Sequence, residues 1–198
     1  MAALLSFDTE FSFPTPGVGG LMQFGAVAVP WDPETLTRLK GDGLAISLTF
    51  PLTDEHKVSD WVQENQAALL ERCRALDAST YEPKVERLKG FLKRVREAYG
   101  EPVIPAGWCL GSDMGYLLHL LGEDNELVHF SAIDLKGIAM SLMHTYDPGD
   151  KELRAFLGTP APENEHDALA DAKGQLQMLL AAFKKIAPAA SPSTTQST

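Results

Sequence analysis

The sequence predicts an α/β fold in which a mixed five-stranded sheet, three antiparallel strands followed by parallel ones, is flanked by helices. Three observations predict it. Apolar runs of strand length at residues 3–7, 21–29 and 44–50 are separated by turn-rich segments. The apolar spacing then changes to the three- and four-residue steps of helices. From residue 103 onward, short apolar runs alternate with helical stretches, the order expected of a mixed sheet covered on both sides.

The first three runs are bounded by Pro14-Thr15-Pro16-Gly17, by Trp31-Asp32-Pro33 and by Gly41-Asp42-Gly43, which makes them an antiparallel meander. Over residues 54–99, Trp61, Val62, Leu69, Leu70 and Cys73, then Val85, Leu88, Leu92 and Val95, recur at helical steps. Pro83 suits a first helical turn, and Gly100-Glu101-Pro102 stops the helix. Residues 103–106 read as a fourth strand, 113–121 as a helix and 128–133 as a fifth strand. A helix over 135–144 follows, capped by Asp134. The last helix covers 166–186, with Leu169, Leu176, Leu179, Leu180 and Phe183 on one face. These elements make one domain over 1–187. The tail, 188–198, is built of Ala, Ser, Pro, Thr and Gln, cannot bury a core and is expected to be disordered.

With 198 residues, 44% of them hydrophobic, the chain can bury one full core. Its start lacks a basic segment, so no secretory signal is expected, and no run approaches the roughly 18 apolar residues of a membrane span. A cytoplasmic location is expected. Cys73 and Cys109, with no CxxC, exclude a disulfide framework and a thiolate zinc site. A net charge of -10 opposes tight binding of long nucleic acid, although carboxylates that ligate dications would lose part of that charge. Short single strands suit the chain better.

Asp8 and Glu10 flank Thr9 at the end of the first expected strand. Successive strand side chains point to opposite faces, so the two carboxylates project together and Thr9 points away. Carboxylates this close repel unless a cation lies between them, which outlines a hard-metal site. Taken alone, so short a motif more often marks two acids that merely solubilise a strand end. His166 and Asp171 open the last helix. A His at the entrance can turn to solvent and take a proton from water, while Asp171, more than a turn further in, is held firmly enough to ligate a metal. An ordinary first turn is the plain alternative for His166 and Asp167. Asp113 follows the fourth strand, where an N-cap role is its alternative. The order of the three elements is far more specific than any one of them.

In that order Asp8, Glu10, Asp113, His166 and Asp171 resemble the motif residues of the DEDDh 3′-to-5′ exonucleases of the ribonuclease H-like superfamily, over residues 3–186. Ser59-Asp60-Trp61-Val62-Gln63-Glu64-Asn65, Ile133-Asp134-Leu135 and the motif spacing are most similar to oligoribonucleases, which degrade very short RNA. The resemblance implies a ribonuclease H-like sheet and release of nucleoside 5′-monophosphates from the 3′ ends of short single-stranded RNA or DNA, with RNA favoured. It implies two divalent cations, Mg²⁺ or Mn²⁺. One would be held by Asp8, Glu10 and Asp171 and the other by Asp8 and substrate, with Asp113 acting through water and His166 as general base. All-oxygen ligation favours these ions over zinc. Oligoribonuclease-like relatives are dimers, so a homodimer through the helices around Trp61 and Leu69 is a further expectation.

Phe11, next to the acidic pair, is expected to stack on or wedge the terminal base, an interaction worth about 1–3 kcal/mol; ordinary core packing is its other reading. Trp108 is a second stacking candidate, or a packed residue behind the fourth strand. Thr9 is grouped with them as a substrate contact. The chain departs from many relatives before the third carboxylate: Trp108-Cys109 and Ser112 stand where those carry a His-Asn pair and an aromatic residue, so this wall of the cleft must differ. Two other functions share these features: a non-catalytic nucleic-acid-binding domain on the same fold, and a phosphodiesterase of dinucleotides or small nucleotides. His56, His119, His129 and His144 have no partner motif and read as structural.

Overall fold

In the computed structural model, which describes residues 1–161 and 166–186, β1 (Ala2–Phe11) lies at the centre of the sheet. It pairs antiparallel with β2 (Leu21–Asp32) and parallel with β5 (Val103–Gly107), and β5 pairs in parallel with β6 (Ile133–Asp134). The far edge of β2 carries two short strands in succession, β3 (Thr37–Arg38) against Trp31 and Asp32, and β4 (Leu44–Thr49) against residues 23–28. Six strands therefore make a sheet five strands wide, with the antiparallel-then-parallel order expected from sequence. The expected tail lies outside the described residues.

Alternation along β1 decides what each face buries. Ala3, Leu5 and Phe7, with Phe24, Ala26 and Ala28 of β2, belong to a core completed by Leu88 and Leu92 of α3 (Tyr81–Tyr99) and Leu117 of α4 (Gly111–Leu121). Ala2 and Leu4, with Val27, Val29 and Trp31, belong to the opposite core. There they meet Ala139 of α5 (Leu135–Met143), Leu153 of α6 (Asp150–Leu157) and Leu176, Leu179 and Phe183 of α7 (Ala168–Ile186). The Trp31 and Phe183 rings are 4.9 Å apart. Each fully buried Leu, Val or Phe contributes about 1.5–3 kcal/mol, so these two layers fix the helices on the sheet. A smaller cluster holds Met22 and Leu52 with Val62 of α1 (Asp60–Asn65) and Leu70 of α2 (Ala67–Arg74). Asp8 and Glu10 continue the even-numbered series that faces α7, and Thr9 the odd-numbered series that faces α4.

The structure corrects several element boundaries. The fifth strand shrinks from 128–133 to Ile133–Asp134. Val128 is buried, but Phe130 is 85% exposed and the His129 imidazole accepts the Ser131 N–H at 3.1 Å, a local turn that takes a donor from any ladder. The helical stretch after residue 54 breaks at Gln66, whose backbone (φ -127°) separates α1 from α2 while its side chain turns inward. α6 was not anticipated; eight residues are too few for a periodic pattern. Its stop signal was nevertheless present, since Gly158 ends it in the left-handed conformation (φ 70°). α7 starts at Ala168, because His166 is itself left-handed (φ 64°). Asp134 caps α5 as expected, accepting from Lys136 N at 2.9 Å. Among the described residues, no helix is long and apolar enough to cross a membrane.

Candidate active site

Carboxylate oxygens of Asp8, Glu10 and Asp171 lie within 4.8 Å of one another at the C-terminal end of β1. Gly25, paired across from Asp8 on β2, permits this. A Cβ there would stand 2.2 Å from both the Ala168 carbonyl carbon and the Leu169 nitrogen, so the first turn of α7 lies directly on the strand backbone. Two residues before Asp8 on the same face, Ser6 donates its hydroxyl to Ala172 O at 2.8 Å and ties the helix down.

Three buried glutamines orient the acids. Gln175, one turn beyond Asp171, donates Nε2 to Asp8 Oδ1 at 2.8 Å while its Oε1 accepts from Trp108 N at 3.0 Å. Gln23 donates to Asp167 Oδ2 at 3.2 Å and accepts from Ala168 N at 3.4 Å, which fixes the entrance of α7. Gln66 donates to Glu10 Oε2. An amide suits this task because it carries donor and acceptor together, so in Gln175 and Gln23 the group that holds a carboxylate is itself held, whereas Gln66 Oε1 is buried with no hydrogen-bond partner among the described residues. Asp167 caps α7, accepting from Ala170 N at 2.9 Å. Gln175→Leu removes the donor to Asp8 and leaves the Trp108 N–H without its acceptor. It is expected to lower metal-dependent activity and metal affinity roughly 10–100-fold, the usual effect of losing a partner behind a ligand. A Mn²⁺ titration of kcat/KM that matches the wild type would show that this bond orients nothing.

The electrostatics match a site built for cations. Burial, then the charges of Asp113, Glu10 and Asp171, push the Asp8 carboxyl well above the usual range, against the Gln175 hydrogen bond. Burial likewise raises Glu10, opposed by Gln66 and His166, and Asp171, opposed by the His166 N–H and the charge of Arg154. Each of these shifts expresses a negative charge that protein alone leaves undercompensated. Three converging carboxylates with all-oxygen donors fit Mg²⁺ or Mn²⁺.

Of the residues singled out from sequence, Asp8, Glu10 and Asp171 come together directly. Asp113, 8% exposed, is not one of that trio, although its charge acts on Asp8. It accepts from Thr9 N at 3.0 Å and from Thr9 Oγ1 at 2.5 Å, and burial raises its carboxyl despite those bonds. Thr9 is thus 5% exposed with its hydroxyl on Asp113, and its strand parity carries its side chain to the α4 face. His166 stands at the mouth, its backbone N–H donated to Asp171 Oδ2 at 3.2 Å and its ring edge-on to the half-exposed Trp61 at 5.5 Å. Phe11 is half-buried and stacked on Tyr116 (5.2 Å, 11°), so one ring face is already covered. Trp108 is partly packed on the α7-side core and also lines a cleft of about 460 Å³ that contains Asp8, His166 and Asp171. The sequence reading missed the three glutamines, Gly25 and Arg154. Gln175 alone carried a signal, four residues after Asp171 and hence on the same helical face.

At the level of sequence, no family model and no curated protein matches the chain. Solved structures do. The nuclease domain of 3′hExo, a DEDDh family member bound to rAMP, aligns over 93% of this chain and 93% of its own at 13% identity, with a TM-score of 0.63. Cell-death related nuclease 4 (CRN-4) aligns over 94% of this chain and 64% of its own at 12% identity, TM-score 0.62. The Mg²⁺- and Mn²⁺-bound form of S. pombe Pop2p aligns over 89% and 81% at 15% identity, TM-score 0.57. The chain therefore shares the ribonuclease H-like fold of these structures, a mixed sheet flanked by helices.

Proposed function

We propose that this chain, with that fold, is itself a metal-dependent 3′-to-5′ exonuclease that releases nucleoside 5′-monophosphates from short single strands, RNA in preference to DNA. The observation that carries the reading is the convergence of Asp8, Glu10 and Asp171, with Asp8, Asp171 and His166 lining one cleft. Asp8, Glu10 and Asp171 would hold one divalent cation and Asp8 would contribute to a second, with Asp113 acting through water. When bound, such ions polarise the phosphoryl oxygens and neutralise developing charge.

The chain's own residues do the rest. The imidazole of His166 takes the proton of the attacking water as its oxygen bonds to phosphorus and the bond to the 3′-oxygen breaks. Its backbone bond to Asp171 keeps base and ligand in one frame. Gln175 and Gln66 hold Asp8 and Glu10 in ligating orientation. Trp108 and the uncovered face of Phe11 offer surfaces for bases. The preference for short RNA is supported by the resemblance to oligoribonucleases and by a net charge of -10, which disfavours long strands.

The test is incubation of 5′-labelled short RNA and matching DNA with the wild type and Asp8→Ala, in Mn²⁺, Mg²⁺ or EDTA, with products resolved by length. A metal-dependent ladder shortening from the 3′ end, absent in the variant and faster on RNA, is expected. No shortening of either strand with either metal rules the activity out.

A further inference from the structure

The activity proposed above leaves Arg154 without a task. It is the one Lys or Arg buried among the described residues, 6% exposed in a chain of net charge -10. A buried guanidinium is costly to desolvate unless its donors and charge are matched. Its partners match it only in part. Nε faces Asp150 Oδ2 at 3.3 Å, on a carboxylate that is 44% exposed, and Nη1 donates to Pro160 O at 3.1 Å. A guanidinium has five N–H donors, and Nη2 makes no hydrogen bond among the described residues. The group rests against Gly174 of α7, where a Cβ would stand 3.1 Å from Nη2. Arg154 thereby forms part of the wall of the cleft that contains Asp8, Asp171 and Trp108.

We propose that Arg154 binds the phosphodiester one linkage upstream of the scissile bond, with Trp108 supporting the adjoining base. The assignment rests on the exonuclease reading. The bond to the 3′-terminal nucleotide is drawn to the carboxylate-held cations, so the other phosphate within the cleft is the next one towards the 5′ end. A planar fork of donors suits phosphate oxygens, and an indole face accepts any base. Such a subsite favours strands of three or more nucleotides over unphosphorylated dinucleotides, which lack the second linkage.

The test crosses two changes: Arg154→Gln in the protein, and an uncharged methylphosphonate at the penultimate linkage of a short RNA. Each change alone is expected to lower kcat/KM about tenfold or more, mainly through KM, and the two together no further than either one, because they remove the same contact. Losses that multiply would leave Arg154 as a packing residue between α6 and α7 and overturn the proposal. So would a wild type indifferent to the methylphosphonate, an arm that decides the matter even if Arg154→Gln does not fold. Arg154→Lys, which keeps the charge and loses the fork, is expected to fall between. If the wild type shortens no strand at all, the exonuclease reading fails separately. The same cross is then read as affinity for the labelled trinucleotide by fluorescence anisotropy, where non-additivity supports the Arg154 subsite and additivity overturns it.

Discussion

Asp8→Asn is expected to make the metal-free protein more stable and the metal-loaded protein almost inactive. Both effects come from the same charge. Burial and three neighbouring carboxylates raise the Asp8 carboxyl well above the usual range, so the folded state binds its proton more tightly than the unfolded chain does. Where the folded state carries more protons, stability falls as pH rises, here from the ordinary carboxylate range up through the raised value. Asparagine is a neutral isostere that keeps Oδ1 as the acceptor for Gln175. In EDTA the melting temperature of Asp8→Asn is expected to exceed that of the wild type by roughly 2–4 °C for each kcal/mol of repulsion removed. The advantage should be smallest at acid pH, where Asp8 is protonated in both states, and widen towards neutral pH. Added Mn²⁺ should reverse the ranking, because it stabilises the complete ligand set. Activity should fall about a thousandfold or more, the scale of losing several kcal/mol of charge stabilisation in the transition state. A variant that melts lower than the wild type in EDTA, or that retains activity within tenfold in Mn²⁺, would remove Asp8 from the centre of the site.

The carboxylates were legible because their information is local. Strand alternation puts Asp8 and Glu10 on one face, and the order of Asp8, Asp113 and Asp171 along alternating elements brings them to the C-terminal end of the central strand. What each acid touches was not legible. The parity that turns Thr9 away from Asp8 delivers its N–H and hydroxyl to Asp113. Gln66 and Gln23 act on Glu10 and Asp167 across long stretches of chain, so nothing near them in sequence marks their partners. Arg154 was hidden with its helix, since α6 is too short to show a period and is recognisable only by how it starts and stops. β6 failed for a related reason: apolar residues at 128–133 suggested burial, but the His129 imidazole closes a turn on the Ser131 backbone instead. Sheet order survives such errors because it depends on which elements exist, and fine geometry does not.

Gly25→Ala is expected to be the most damaging small substitution outside the carboxylates. Gly25 sits opposite Asp8, and the added methyl would meet Ala168 and Leu169 backbone at 2.2 Å and Ala168 O at 2.4 Å. These are helix backbone atoms, which cannot swing aside as a side-chain tip does. The far part of α7 is anchored by Leu176, Leu179 and Phe183 in the core, so strain is relieved by lifting its first turn. That movement stretches the Ser6 bond to Ala172 O and withdraws Asp171 and His166 from Asp8. Overpacking of this kind destabilises by about 1–3 kcal/mol or more. Displacing a ligand by about 1 Å lowers turnover roughly a hundredfold. Gly137→Ala supplies the control: within α5 its Cβ meets nothing within 4 Å, and the same substitution there should stabilise by roughly 0.5–1 kcal/mol with activity unchanged. Urea unfolding and kcat, measured on both variants, should therefore move in opposite directions for stability and diverge for activity. If Gly25→Ala unfolds and turns over as the wild type does, the close seat of α7 on β2 is not what places Asp171, and the register of the site must be set by the glutamines alone.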